Sequence, residues 1–360
     1  MKKKKTAAAI VPPAALLIVI CFVASLAGCA PAGNDDGRLC IVATIFPIYD
    51  WVRSILGDNP GDAELVLLED GGVDLHSFQP TVEDMALIAG CDVFIYVGGE
   101  SDNWVPGALS SLKNPGRTEI NLLEVLGEGA AAEEHIEGMQ DGEHRGADGH
   151  GHDADGHGRD DGDGAPADDR GEGEVHAGEP ESDEHVWLSL RNAQLFCEHI
   201  SDAIAAKDPS HSADYASNTA AYVGDLKALD GEFEAAAAQI DNKVLLFADR
   251  FPFRYFTRDY GFDYYAAFEG CSAETEAGFA TIVFLADKVN EFSLDVIFCT
   301  EGSDEAIART VRDTAKRSGL KICRLNSLQS VSAVSVREGV TYLGLMRENL
   351  ESLNEAFNVH

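Results

Sequence analysis

The chain has 360 residues, with 27 basic and 62 acidic side chains and a formal net charge of −35. A charge this negative repels phosphate backbones and anionic membrane surfaces. Nucleic-acid binding is therefore excluded, and membrane attachment requires a lipid or a spanning helix. The hydrophobic content of 45% is ordinary for a globular protein, and the length suggests two domains.

The N-terminus has the three parts of a secretory signal peptide, which we predict over residues 1–28. A basic run at Lys2–Lys5 precedes the apolar stretch Ile10–Leu26, which two prolines make a poor spanning helix. The sequence Leu-Ala-Gly-Cys that ends at Cys29 resembles the lipobox of bacterial lipoproteins. This resemblance implies cleavage before Cys29, acylation of its thiol, and a flexible tether over residues 29–38.

The region after the tether alternates strand-like and helix-like segments. Apolar runs of strand length are Leu39–Phe46, Ala63–Leu68 and Cys91–Val97. Helical patterns cover Tyr49–Leu56 and Thr81–Ala89, and the second begins with a capping-box pattern. Such alternation predicts an α/β fold with a parallel sheet.

A segment of different composition interrupts the chain at residues 133–184. It contains 19 acidic, 3 basic, 12 glycine and 6 histidine residues and no aromatic residue. Such a segment buries too little apolar surface to offset its ordering entropy, so we predict a disordered insertion. Its histidines and carboxylates suit a weak collector of divalent metal ions, with zinc first. The histidines are His135, His144, His150, His152, His157 and His176.

A helical 3–4 spacing of apolar residues continues from Ser212 to Ile240 and predicts one long amphipathic helix. The segments that follow again alternate. Predicted strands are Lys243–Ala248, Asp263–Phe268, Asp295–Thr300 and Lys321–Leu325, and predicted helices are Ser272–Phe292, Ser303–Ser318 and Glu338–Phe357. We therefore expect an N-terminal lobe over residues 39–211, a linking helix over 212–240 and a C-terminal lobe over 241–360.

Six cysteines remain after Cys21 is removed with the signal peptide and Cys29 is acylated. They contain no CxxC pair, and several lie in apolar runs, where a free cysteine acts as a small hydrophobe. We expect mostly buried thiols, with room for one disulfide bridge in the C-terminal half.

Two short motifs carry histidines that can act as metal ligands. His76 lies in Gly-Val-Asp-Leu-His-Ser-Phe-Gln-Pro, a loop between a predicted strand and a helix, where open α/β sheets bind ligands. His185 lies in Asp-Glu-His-Val-Trp-Leu, directly after the insertion.

Both motifs resemble the metal-ligand signatures of the zinc/manganese ABC-transporter solute-binding lipoproteins. The likeness extends from about Leu39 to the end of the chain, and Leu190 replaces a usual proline after the second motif. It implies two α/β lobes, each with a parallel-type sheet, joined by one long backbone helix. It also implies metal in the cleft between the lobes, held by His76, His185 and two C-terminal ligands.

The resemblance identifies the two C-terminal ligands less directly than the two histidines. A gapless match places Arg250 at the third position, and a guanidinium cannot bind a cation, so Asp249 is the expected substitute. For the fourth position we favour Asp304 over Glu301, with Glu269 and Glu274 in reserve. A structural role explains both aspartates equally well: Asp249 would be a turn residue and Asp304 an acid in the first turn of a helix.

A ligand set of two histidines and two carboxylates resembles that of the manganese-binding members of the family. The histidine-rich insertion, in contrast, resembles that of the zinc-binding members. We favour Zn²⁺ over Mn²⁺, because zinc binds such ligands more tightly. The resemblance then implies a monomeric, non-enzymatic protein, anchored by its lipid outside the bacterial cell membrane. Such a protein would deliver zinc to an ABC permease.

Two alternatives of other classes remain open at this point. A zinc-dependent hydrolase would use His76 and His185 in an open site, but no HExxH motif supports it. A surface metal buffer or adhesin would depend on the insertion and not on the cleft.

Overall fold

A computed structural model describes residues 38–57, 63–69, 71–72, 75–140, 182–272 and 276–359. The predicted signal peptide, Cys29 and most of the tether lie outside these residues. No helix in the described ranges is long and apolar enough to cross a membrane.

The N-terminal half forms a four-stranded sheet whose neighbouring strands are all parallel, in the order β2-β1-β3-β4. Its strands are β1 (Leu39–Ala43), β2 (Ala63–Leu67), β3 (Val93–Tyr96) and β4 (Thr118–Asn121). Its helices are α1 (Phe46–Leu56), α2 (Val82–Gly90), α3 (Trp104–Ser111) and α4 (Leu122–Leu126). The central strands β1 and β3 are almost wholly buried, as their continuous apolar sequences require of a parallel sheet covered on both faces.

Two long helices follow, α5 (Leu190–Lys207) and α6 (Ser212–Ala238). The predicted linking helix is confirmed as α6, whose 27 residues span about 40 Å and end two residues before the expected Ile240. Its buried face includes Tyr215, Val223, Leu226, Leu229 and Phe233. This face packs on α1 and α5 from the N-terminal half and on helices of the C-terminal half.

The C-terminal half repeats the architecture, with parallel strands in the order β6-β5-β7-β8. Its strands are β5 (Val244–Phe251), β6 (Asp263–Glu269), β7 (Val296–Thr300) and β8 (Lys321–Leu325). Its helices are α7 (Arg254–Tyr260), α8 (Phe279–Glu291), α9 (Ala306–Thr314), α10 (Ala333–Arg337) and α11 (Tyr342–Phe357). The fold is therefore the predicted pair of α/β lobes joined by a long helix, while the exact lobe boundaries stay predictions.

Local differences from the predicted elements have physical causes. The capping box at Thr81 and Asp84 is confirmed, but strand β4 was missed because Thr-Glu-Ile-Asn has no apolar run. Helix α8 begins at Phe279 and not at Ser272. Helix α11 begins at Tyr342, because Gly339 has a φ of 96° and Thr341 caps the helix through the amide of Gly344.

Further differences concern helix α9 and the thiols. Ser303 and Asp304 both precede α9, and Glu305, with a φ of 62°, is its N-cap. All six cysteines within the described ranges are free thiols, so the bridge allowed in the C-terminal half is not formed there. Cys299 and Cys323 lie on neighbouring strands, but the thiol of Cys299 donates to the carbonyl of Cys323.

Phe233 lies where the linking helix meets the C-terminal half, between the rings of Phe256 and Tyr260. We expect Phe233→Ala to lower the free energy of unfolding by about 3–5 kcal/mol, because the fully buried ring leaves a cavity. Urea denaturation measures this loss. The control Glu232→Ala removes only an exposed ion pair with Arg347 and should cost about 0.5 kcal/mol or less. Equal effects of the two substitutions would contradict the packing role.

Candidate metal centre

His185 is fully buried, and its ring is oriented by the residue that begins its motif. Asp183 Oδ1 accepts a hydrogen bond from the His185 amide at 2.9 Å and lies 3.0 Å from His185 Nδ1. A carboxylate accepts only, so Nδ1 carries the proton and Nε2 carries the lone pair. In the described structure, Nε2 is buried and has no hydrogen-bond partner. Buried polar atoms are normally paired, so this nitrogen is available to a metal ion.

His76 is oriented by a carboxylate through one intervening hydroxyl. It lies on the short 3₁₀ helix Leu75–Ser77, and its Nδ1 is 2.6 Å from Ser101 Oγ. Ser101 donates its hydroxyl and its amide to the two oxygens of Glu184. When Glu184 is ionised, Ser101 Oγ accepts from His76 Nδ1–H, and the lone pair again falls on Nε2. Asp183 and Glu184 thus set the tautomers of both histidines.

A glycine loop lets Glu184 reach Ser101. Gly98 and Gly99 have φ angles of 90° and 82°, which L side chains rarely adopt. A Cβ on Gly99 would lie 2.3 Å from Glu184 Oε1. Asp102 closes the loop, because its Oδ2 accepts hydrogen bonds from the amides of Val97 and Gly98.

The C-terminal half contributes a thiol to the same place. Cys271 follows strand β6, and one ligand atom each from His76, His185 and Cys271 lie within 4.8 Å of one another. The two imidazole rings are 5.6 Å apart at their centroids. A Cβ on Gly270 would lie 2.8 Å from His185 Cε1, so the ring of His185 rests directly on this backbone. The group therefore lies between the two halves of the chain.

The electrostatic surroundings favour a cation. Burial raises the pKa of the Cys271 thiol well above its usual range, and the carboxylates of Glu133, Glu184 and Asp183 raise it further. Burial also raises the pKa of Glu184, to about 7. Burial alone would lower the pKa of His185, but Asp183 and Glu184 outweigh burial and raise it. Protons therefore compete with metal here, and acidification weakens metal binding.

Among the described residues, Asp249 and Asp304 lie outside the group of His76, His185 and Cys271, and their predicted role as ligands stays a prediction. Asp249 Oδ2 accepts hydrogen bonds from the amide and hydroxyl of Thr300 at 3.1 and 2.7 Å. Asp304 Oδ1 accepts the Ala306 amide at the start of α9. Asp249 thus joins strand β5 to the end of strand β7, and Asp304 caps an amide at the start of α9. Both line a cavity of about 680 Å³ that extends to Gly270.

Two other residues considered for the third and fourth ligand positions, Glu301 and Arg250, also have hydrogen-bond partners. Glu301 accepts hydrogen bonds from the amide and hydroxyl of Ser327, both at 2.8 Å. Arg250 donates to the carbonyl of Ser272 and thereby contacts the Cys271 loop. Glu274 lies outside the described residues.

The structure describes both ends of the predicted insertion. Residues 133–140 and 182–184 lie within the described ranges. His135 Nδ1 lies 2.9 Å from Glu269 Oε1, at the end of β6. Gln140 accepts a hydrogen bond from the Gly278 amide and donates to the Glu276 carbonyl. The other five predicted collector histidines, His144, His150, His152, His157 and His176, lie outside the described residues.

The matched family supports this architecture. The model of the family described as "ZnuA: Zinc-uptake complex component A periplasmic" matches residues 41–356. The chain belongs to this family.

Relatives within the ZnuA family share the fold and a moderate identity. The zinc-binding lipoprotein AdcA of Streptococcus pneumoniae is 27% identical over 92% of this chain, which spans only 58% of the length of AdcA. The high-affinity zinc uptake system protein ZnuA of Bacillus subtilis is 27% identical over 94% of this chain and 93% of its own length. The Zn(II)-bound ZnuA-like domain of the pneumococcal protein matches with a TM-score of 0.64 and 25% identity, covering 89% of this chain and all of that domain.

The structure brings together the two predicted histidines, and beside them lie Cys271 and the orienting residues Ser101, Asp183 and Glu184, which the sequence analysis did not name as site residues. One signal was available for Cys271, because it follows a predicted strand of a parallel sheet. The carboxyl ends of such strands meet at one edge, where ligands bind. Ser101 had no comparable signal, since its role depends on the three-dimensional path of the glycine loop.

We expect Gly270→Ala to weaken zinc binding about 10–100-fold, because the added methyl group meets His185 Cε1 and the Phe251 carbonyl oxygen at 2.8 and 2.9 Å. Zinc titration with a competing chelator measures the affinity. Gly302→Ala is the matched control, since a Cβ there meets nothing within 4 Å. An unchanged affinity in Gly270→Ala would show that His185 does not need this close contact.

Asp102 should make stability depend on pH. Burial raises the pKa of Asp102 to about 6, from the ordinary 3.8. Between these values the native state holds a proton that the unfolded chain has lost, so the free energy of unfolding falls as pH rises through this window. The substitution Asp102→Asn should abolish this pH-dependent fall, which amounts to about 3 kcal/mol in the free energy of unfolding.

Urea denaturation at pH 4 to 7 measures the difference between the two stability profiles. The variant Glu100→Gln, at an exposed neighbouring position, should retain the profile of the wild type. If the stability of the wild type and of Asp102→Asn changed with pH in the same way, Asp102 would not be the source of the pH dependence.

Proposed function

We propose that this protein captures Zn²⁺ between its lobes with His76 and His185 and delivers it to the permease of an ABC importer. The observation that carries the proposal is the buried Nε2 of His185, which has no hydrogen-bond partner among the described residues and belongs to a ring grouped with His76 and a thiol. An oriented imidazole in this state loses hydration without gaining a bond, unless a ligand supplies one.

The orienting hydrogen bonds support metal binding over a purely structural role. Metal-bound histidines typically donate their second ring nitrogen to a carboxylate, as His185 does to Asp183. Imidazole nitrogen is a preferred zinc donor. Two relatives are named for zinc binding or uptake, which favours Zn²⁺ over the manganese alternative.

A transport role is favoured over catalysis because the family is one of metal uptake. We propose a monomer that acts outside the cytoplasm. Its attachment through an acylated Cys29 follows from the lipobox pattern and from the lipoprotein relative. The permease partner follows from the membership of the family in zinc-uptake complexes.

We propose that the insertion is an accessory collector that supplies the cleft. His135 links its start to Glu269 near Cys271, so ions gathered along the insertion would be released close to the ligand group. Its acidic residues raise the local concentration of divalent cations, which shortens the search for the buried site.

Calorimetric zinc titration tests the capture site. The starting protein is the full chain with His144, His150, His152, His157 and His176 replaced by Gln, which removes collector ligands without shortening the chain. We expect it to retain one tight site. Adding His76→Ala and His185→Ala should abolish that site, because the loss of even one zinc ligand costs about 100-fold in affinity.

The control for the double substitution is His199→Ala in the same background, at an exposed position of helix α5. Tight binding that survives the loss of His76 and His185 would overturn the proposed site. Loss of all tight binding in the Gln-substituted protein would favour a metal buffer that depends on the insertion.

A further inference from the structure

We propose that the thiolate of Cys271 is a third metal ligand, which makes the centre a His₂Cys site selective for zinc over manganese. This inference rests on the proposed zinc function and specifies its ligand set. A ligand atom of Cys271 lies within 4.8 Å of those of both histidines, a separation that one ion between them can bridge. Independently, the buried Nε2 of His185 has no hydrogen-bond partner among the described residues, which indicates a ligand at this histidine.

The loop that carries Cys271 is held from both sides. Glu133 accepts a hydrogen bond from the Cys271 amide at 3.4 Å, and Arg250 donates to the carbonyl of Ser272 at 3.5 Å. Gly270 allows the backbone to touch His185. The thiol is therefore positioned by its own backbone, and it is not consumed in a disulfide among the described cysteines.

The surrounding charge suits an incoming cation. Glu133, Asp183 and Glu184 are the carboxylates that act on Cys271. When a divalent ion binds, the S–H bond breaks, the proton leaves to solvent and an S–metal bond forms. No oxidation or reduction is involved, because a coordinated thiol is simply deprotonated by the charge of the metal.

A thiolate also decides between the two candidate ions. Soft sulfur ligands select zinc, whereas manganese prefers carboxylate, carbonyl and water oxygens. The predicted His₂Asp₂ set would have left this choice open. With Cys271 in place of the two aspartates, the donor set favours zinc on chemical grounds alone.

X-ray absorption at the zinc edge tests the inference on the full-length, reduced protein loaded with one equivalent of Zn²⁺. We expect a sulfur scatterer at about 2.3 Å beside nitrogen scatterers at about 2.0–2.1 Å. Cys271→Ser should remove the sulfur shell and lower zinc affinity about 100-fold. Cys323→Ser is the matched control, since Cys323 is also partly exposed and free but lies on β8.

A second variant tests selectivity. Cys271→Asp restores a hard oxygen donor, so in competition between the two ions it should shift the preference toward Mn²⁺ by at least tenfold relative to the wild type. An unchanged preference would overturn the selectivity role of the thiolate.

The outcomes separate this inference from the proposed function. A wild-type zinc site that depends on His76 and His185 but shows only nitrogen and oxygen scatterers overturns the role of Cys271 and leaves zinc capture intact. Absence of any tight zinc site in the wild type overturns zinc capture, and this inference falls with it.

Discussion

The hydrogen bond between His185 Nδ1 and Asp183 Oδ1 is the interaction on which the site depends. It fixes the tautomer of a fully buried imidazole, one ligand atom of which lies within 4.8 Å of those of His76 and Cys271. Asp183 is itself held, because its carbonyl accepts a hydrogen bond from Tyr255 in the C-terminal half. A ring buried this deeply cannot be reoriented by solvent, so the geometry needed for metal binding is set before any ion arrives.

The segment around His185 also joins the two halves of the chain. Trp187 Nε1 donates to the carbonyl of Ser327, and Tyr342 donates its hydroxyl to the carbonyl of Trp187. Ser189 donates to Asp259 on helix α7. The segment that carries the histidine thus also fixes the position of one lobe against the other. Any change in the relative position of the lobes would therefore alter the distance between His185 and Cys271.

The sequence was sufficient to predict the fold, because apolar residues are spaced differently in its strands and its helices and because α6 has an uninterrupted apolar face. It also singled out His76 and His185, which the structure brings together, because their motifs lie at strand ends or beside buried aromatic residues. It could not decide the role of Asp249 and Asp304, since a carboxylate that accepts structural hydrogen bonds has the same local pattern as one that binds metal. Cys271 follows a predicted strand, which made it a possible candidate, but only the pairing of that strand with β5 shows which ligand group it joins.

Anomalous diffraction at the zinc edge from crystals of the zinc-loaded protein tests the central claim most directly. We predict one strong peak between the lobes, about 2.0–2.1 Å from the Nε2 atoms of His76 and His185. No peak at these atoms, with zinc instead at Asp249 and Asp304 or only within residues 141–181, would contradict the account.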